Sequence, residues 1–462
     1  MSVLPEFREV MASPLRHDLT ELPGLDYLSS PTGAIKEAQE LAAAAFGADA
    51  TWFLVNGTTV GIQAAVLATC GPADALILAR NCHLAAFSAM ALAGCHPIYV
   101  MPVQDENLGI AHGITPDALR RAFSNASSDG RHVGAVLVVC PTYFGITSDI
   151  AQLASICHEH GAPLLVDEAH GGHFAFHASF PAHALAQGAD VTIQSTHKVL
   201  SSLGQSSMLH VKGDRVSHEC ISRALQTLQS SSPSYLLLAS LDAARAHAQL
   251  PDTFQEPLDA AAAARQLLRE LPGSGLLDDH IQTGTDGIHG VDPLRLTLVA
   301  NSLGMSGFAL DDLLQREFGV CAEMSTDKTV VFALGPGSRM EHVRQLAAAL
   351  SSIRGRSRSP SQQRSQPPLQ SAAARSSLPE MRLTPREAFF ARTARVSAHE
   401  AVGRICAELL CPYPPGVPAV VPGELLTTDV IEMLRQVASG GGKVAGAADS
   451  SLETFAVILE AS

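Results

Sequence analysis

Short apolar runs alternate with longer stretches of helical spacing through the first half of the chain. The runs lie at residues 51–55, 75–78, 97–101, 135–139, 163–166 and 190–194, and Met208-Leu-His-Val211 is one more. Each has the length of a buried strand. Segments of ten or more residues with apolar positions three and four apart fall between most of them. One of these, residues 34–46, reads as a helix that Gly47 stops. This alternation predicts an α/β fold with a mostly parallel, seven-stranded sheet covered by helices on both faces.

The pattern changes beyond residue 215. Ser230-Ser-Ser-Pro-Ser begins as a polar turn and runs into an alanine-rich helix. Pro293-Leu-Arg-Leu-Thr-Leu-Val299 and Thr329-Val-Val-Phe-Ala333 read as strands of a smaller α+β domain. Residues 354–380 are rich in Ser, Arg, Gln and Pro and are expected to be a disordered linker. Regular patterning resumes near Leu383. The predicted division is an N-terminal segment 1–30, a large domain 31–240, a small domain 241–353, the linker 354–380 and a C-terminal domain 381–462.

The 462 residues are 46% apolar, enough for a sizeable core. Net charge is −14, with one short basic run, which argues against a nucleic-acid partner. No segment approaches 18 uninterrupted apolar residues, so no membrane span is expected. Nine scattered cysteines without a Cys-x-x-Cys read as reduced thiols, and a cytoplasmic protein is expected. An organelle is the alternative if a targeting segment precedes this start.

Three stretches carry candidate chemistry. In Ile193-Gln-Ser-Thr-His-Lys-Val-Leu-Ser-Ser-Leu-Gly-Gln-Ser-Ser207 a lysine sits among Ser, Thr, His and Gln between two predicted strands. A cation is costly there unless it is paired, held neutral or used in a Schiff base. An exposed loop lysine is the plain alternative. In Ala162-Pro-Leu-Leu-Val-Asp-Glu-Ala-His170 a buried strand ends in two acids and a histidine, where open α/β sheets bind ligands. In Thr51-Trp-Phe-Leu-Val-Asn-Gly-Thr-Thr59 a strand turns into a helix whose N-terminus can hold a phosphate.

Ser195-Thr-His-Lys198 with Gln205-Ser-Ser207, together with Asp167-Glu-Ala-His170, resembles the cofactor-attachment signature of the Orn/Lys/Arg decarboxylase family. These are fold-type-I, aminotransferase-like enzymes that use pyridoxal 5′-phosphate. The resemblance runs from about residue 17 to 242 and again from 381 to 428. It implies that Lys198 attaches the cofactor aldehyde, that Asp167 faces the pyridine nitrogen and that His83 stacks on one ring face while Ala169 packs under the other. Gly57, Thr58 and Thr59 are implied to hold the phosphate, aided by Ser195 and His197, with His170 near the site. Ser230 is implied to reach the phosphate of a neighbouring subunit, which makes a homodimer with shared active sites. Glu424, beside Pro422-Gly423, is a weaker candidate for recognising a substrate cation.

The implied reaction is α-decarboxylation of a basic amino acid, arginine before lysine or ornithine, as a step in polyamine biosynthesis. Two departures stand out. Leu84-Ala85 replaces a basic residue and a serine common after the stacking histidine. The Pro-Gly-His-Lys segment usual upstream of the residues resembling Pro5-Glu-Phe-Arg8 is missing from this start. With no receiver-like wing domain in the sequence, the short form of the family is expected.

Rival readings are another reaction on the same cofactor, such as an aminotransferase or aldolase, and a catalytically silent regulatory relative. A helicase reading of Asp167-Glu-Ala-His170 lacks its phosphate loop. His170-Gly-Gly-His173 with His177 fits no standard zinc spacing, so no metal is expected.

Overall fold

The computed structural model describes residues 14–271, 275–356, 378–413, 417–439 and 442–459. The expected linker at 354–380 lies outside the described residues except at its two ends.

The large domain starts with α1 (Ala34–Phe46), which ends where predicted because Gly47 turns left-handed at φ 65°. Then come β1 (Ala50–Leu54), α2 (Gly57–Thr69), β2 (Ala75–Ala79), α3 (Leu84–Ala93) and β3 (His96–Val100). Next are α4 (Pro116–Ser128), β4 (Val133–Val139), α5 (Ile150–Glu159) and β5 (Leu164–Asp167). Thr115 caps α4 by accepting from Ala118 N, and Asp149 caps α5 by accepting from Gln152 N. The last elements are β6 (Val191–Gln194), the one-turn α6 (Thr196–Val199), β7 (Ser207–Val211), α7 (His218–Leu228) and α8 (Tyr235–Ala248).

The seven strands form one sheet in the order β1-β7-β6-β5-β4-β2-β3. All neighbours pair in parallel except around β7, which runs antiparallel to both β1 and β6. The inner strands of the sheet are buried on both faces, the edge strand β3 is largely half-buried, and the alternation along β1 and β7 divides the core. Leu54 and Leu209 join the cluster under α2, α3, α4 and α5; Phe53 and Met208 join the opposite one, with Phe46 of α1 and Leu241 of α8.

A second layer follows. Helix α9 (Gln255–Glu270) packs on a four-stranded antiparallel sheet of β8 (Gly275–Leu276), β9 (Arg295–Val299), β10 (Met324–Ser325) and β11 (Thr329–Ala333), in the order β8-β9-β11-β10. Helices α10 (Gly307–Phe318) and α11 (Met340–Arg356) complete its core around Leu296, Leu298, Leu314 and Val330. Near the C-terminus, β12 (Thr393–Ser397) and β13 (Thr454–Ile458) pair antiparallel beside α12 (Thr428–Ser439), around Phe455, Val457 and Leu434. A short helix, Pro385–Phe390, returns to the large domain. Its Arg386 donates to the carbonyls of Ala91 and Leu92 at 3.2 and 2.9 Å, capping the C-terminal end of α3.

Candidate active site

The ends of β1, β5 and β6 converge on one cleft. Between β1 and α2, Gly57 turns at φ 73° and donates its N–H to Gln205 O at 2.9 Å. That bond ties the Gly-Thr-Thr turn to the loop that follows the lysine helix. Thr58 Oγ1 lies 3.0 Å from Ser195 Oγ, placing two hydroxyls side by side. Asn56 gives α2 no side-chain cap, and first-turn N–H groups have no partner inside a helix. A hydroxyl pair at the positive end of a helix is a site for an anion. Helix α2 lies flat on the sheet because residue 61 is glycine. A Cβ there would come 2.6 Å from Ile193 Cγ2 and 2.7 Å from Leu54 Cδ1.

Lys198 sits in the single turn α6, directly after β6. Its side chain is exposed along the cleft, but its amine end is crowded. Nζ lies 3.2 Å from His170 Nε2 and 5.7 Å from the centre of the Tyr143 ring. Burial of the amine, helped by Arg295, lowers its pKa below the ordinary lysine value, against the pull of Asp167 and Glu323. Asp167 closes β5 and is buried, its Oδ1 accepting from Ala169 N at 3.2 Å. Burial raises its pKa above the usual carboxyl value, while His83 and Lys198 oppose that rise. His83 caps α3, its Nδ1 accepting from Ala85 N at 3.2 Å, with its ring exposed to the cleft. Desolvation lowers its pKa, Asp167 works the other way and Lys198 adds to the lowering.

The structure therefore brings Thr58, Ser195, His83, Asp167, Ala169, His170 and Lys198 to one place. His197 is half-buried beside them, its Nδ1 donating to Ser206 O at 2.8 Å. Thr59 is exposed on the first turn of α2. Ser230 is exposed; its N–H reaches Asn56 Oδ1 at 3.4 Å, and its hydroxyl faces Ser232. Glu424 is buried and bound to Arg80, so it does not face a substrate cation. His170, His173 and His177 do not converge. His173 Nε2 lies 3.1 Å from Asp292 Oδ1, and His177 Nδ1 accepts from Ser179 N. Among the described residues no group of three or more His, Cys, Asp or Glu is placed to hold a metal ion.

Two neighbours, Tyr143 and Arg295, escape a sequence reading, and the second strand-end acid, Glu168, proves to face elsewhere. Tyr143 follows β4 and packs its ring 4.6 Å from that of His170. Arg295 begins β9, 2% exposed, with Nη2 3.2 Å from His170 Nδ1. Glu168 points away from the cleft and accepts from Gln194 Nε2 and Ala184 N, both at 2.7 Å; its burial pushes its pKa up to about 7. An arginine inside an otherwise apolar strand, Leu294-Arg-Leu-Thr-Leu-Val299, is the one signal that could have pointed to Arg295. Beside His83 and Thr59 lies a cavity of about 460 Å³ with mostly apolar walls, including Phe87, Phe389 and Val421.

Comparison with known proteins identifies the family. The description "Orn/Lys/Arg decarboxylase, major domain" matches residues 7–342, and its C-terminal domain matches residues 367–449. An arginine decarboxylase of Bacillus subtilis (strain 168) is 37% identical over 99% of this chain and 92% of its own length. One from Bacillus anthracis is 35% identical over 99% of this chain and 91% of its own length. The lysine decarboxylase LdcF of Francisella novicida superposes with a TM-score of 0.81 at 20% identity, covering 96% of this chain and 74% of that one, and shares the fold. With its fold, its strand-end acid and its lysine in these positions, the chain belongs to the Orn/Lys/Arg decarboxylase family.

Proposed function

We propose that this chain removes the α-carboxylate of a basic amino acid as CO₂ with pyridoxal 5′-phosphate, and that arginine is the preferred substrate. The observation that carries the reading is the placement of the Lys198 amine 3.2 Å from His170 in a cleft that also holds Asp167 and the Thr58–Ser195 hydroxyl pair. Arginine is preferred because relatives of 35–37% identity over nearly the whole chain are named for it.

The residues fit that cofactor. Asp167 is a buried carboxyl whose pKa is raised, so a protonated ring nitrogen would relieve it. Thr58, Ser195 and the first turn of α2 would hold the phosphate, with Thr59 and His197 at the edge. His83 would cover one ring face and Ala169 the other. When bound, the cofactor supplies an aldehyde that amines condense with and a ring that takes up the electron pair left as CO₂ departs.

The chain's own groups do the rest. Asp167 would keep a proton on the ring nitrogen. Lys198 Nζ, on the wall of the cleft, can hand a proton to the substrate's α-carbon after the carboxylate has gone. His83 caps a rigid helix, so its ring is held in place while the substrate enters.

Two finer points belong to the same proposal. Phe389 and Phe390 are each 71% exposed on the short helix beside the 460 Å³ cavity, and a second copy of the chain covering them would make a homodimer. Ser230 then reaches the neighbour's phosphate site. All nine cysteines are free thiols, which supports a reducing, cytoplasmic setting and a role in supplying polyamine synthesis.

The test is product analysis. Purified protein with pyridoxal 5′-phosphate is given arginine, lysine and ornithine in separate reactions. CO₂ with agmatine from arginine, faster than from the other two, is the expected result. A keto acid or an aldehyde would point instead to a transaminase or an aldolase, and no turnover of any of the three would remove the proposal.

A further inference from the structure

Arg295 carries its guanidinium into the protein at the start of β9, beside the cleft. Its Nη2 lies 3.2 Å from His170 Nδ1, and on the other side of that ring Nε2 lies 3.2 Å from Lys198 Nζ. The three groups stand in a row, and the order of their hydrogens follows from chemistry. A guanidinium has N–H groups and no acceptor, so Nδ1 must accept. A neutral imidazole then carries its single hydrogen on Nε2. That N–H is aimed at Lys198 and needs a lone pair. An ammonium offers none, whereas an uncharged amine offers one.

We propose that Arg295 is a positioning residue that acts through the His170 tautomer to hold the Lys198 amine uncharged and nucleophilic. The inference rests on the reading of Lys198 as the attachment residue, but the relay needs no cofactor to operate. His170 is kept from taking a second proton: burial and then Arg295 put its pKa well below the ordinary histidine value. The ring is also held from the side by Tyr143. Among the described residues Arg295 Nε and Nη1 have no hydrogen-bond partner, and its charge is also felt by Asp292, whose pKa is lowered against its burial by His173 first and by Arg295 after it. Asp292, the nearby acid, is engaged by His173 at 3.1 Å.

The relay has something to oppose. The groups that act on Lys198 are His170, Arg295, Asp167, Glu323 and His83, with the Tyr143 ring above the amine. Asp167 and Glu323 both favour the ammonium, which cannot add to an aldehyde. Burial of the amine, and after it Arg295, act against that pull.

The test follows the amine rather than turnover. The full-length chain, freed of carbonyl compounds, is acetylated with acetic anhydride at a series of pH values. Modification of Lys198 is compared with that of the exposed Lys36 by peptide mass spectrometry. In the native chain Lys198 should reach half-modification at a lower pH than Lys36. Arg295→Met should raise the Lys198 midpoint by about one unit, a tenfold change in proton affinity. Arg295→Lys, which also donates and cannot accept, should keep it low. His170→Phe with Arg295 intact should raise it as Arg295→Met does, which separates the relay from charge repulsion through space. If Arg295→Met does not fold, Arg295→Leu, which cannot donate, carries the same expectation.

An unchanged midpoint in Arg295→Met or Arg295→Leu overturns the proposal. So does a low midpoint that survives His170→Phe. Uptake of pyridoxal 5′-phosphate is scored separately by its visible absorbance. Its failure in the native chain counts against the proposed function and leaves the relay standing.

Discussion

Arg80 and Glu424, 344 residues apart, meet as a bidentate ion pair: Nη1 to Oε1 and Nη2 to Oε2, both at 2.8 Å. Both side chains are sealed from water. The Tyr99 ring lies 4.4 Å from the guanidinium, Arg80 Nε donates to Pro418 O at 3.2 Å, and Glu424 Oε2 accepts from Val421 N at 2.9 Å. The pair joins the end of β2 to the C-terminal domain, three residues before His83. Removing one partner leaves a buried charge alone. Arg80→Met or Glu424→Gln should therefore destabilise the protein by about 3–5 kcal/mol, while replacing both by apolar residues should lose less than the sum. Urea unfolding of the three variants measures this. Equal stability of Glu424→Gln and the native chain would contradict it.

Glu168 sets a pH dependence. Unfolded it titrates near 4.5, and folded near 7, because burial disfavours its charge. Between those values the folded chain keeps a proton that the unfolded chain has released. The contribution is fully present below the unfolded pKa, is lost as pH rises through the folded one, and is flat above it. The difference amounts to about 3 kcal/mol. Glu168→Gln should flatten this part of the stability profile and be relatively more stable at alkaline pH. Urea midpoints of both proteins across the window check it.

Gly61 is needed for contact rather than for backbone freedom. Gly61→Ala places a methyl against Ile193 and Leu54 at distances no packed side chains tolerate. A loss of about 1–3 kcal/mol is expected, with weaker uptake of pyridoxal phosphate because the first turn of α2 is pushed from the sheet. Calorimetry and cofactor titration would register both. An unchanged melting temperature would contradict it.

Asp167→Asn separates fold from chemistry. The cofactor-free protein should be at least as stable as the native one, since a buried acid with a raised pKa is removed. Decarboxylation should fall by about 100- to 1000-fold, as a preorganised electrostatic partner is lost. Melting temperature and CO₂ release measured together decide it. Full activity in the variant would remove Asp167 from the site.

Much of the fold is legible because burial on both faces makes the central strands β2, β4 and β5 near-continuous apolar runs. Residues 34–46, 75–79 and 164–167 could hardly be anything else, and Gly47 marks its helix end by a conformation that glycine adopts readily. The reversal of β7 was not legible, since an apolar run carries no sign of its direction. The strand-end acid, the Gly-Thr-Thr turn and Lys198 could be found locally, because each follows a recognisable strand. Arg295 could not be placed, nor could the Arg80–Glu424 pair, because partners 125 and 344 residues away are brought together only by packing between domains. For that reason Glu424 read as a candidate for a substrate cation when its own cation was Arg80.

The most direct measurement is covalent. The native protein is loaded with pyridoxal 5′-phosphate, reduced with borohydride and mapped by peptide mass spectrometry. The expected result is a phosphopyridoxyl group on Lys198, absent from Lys198→Ala. A reduced adduct on another lysine, or none at all in the loaded native chain, would contradict the assignment of this cleft as the active site.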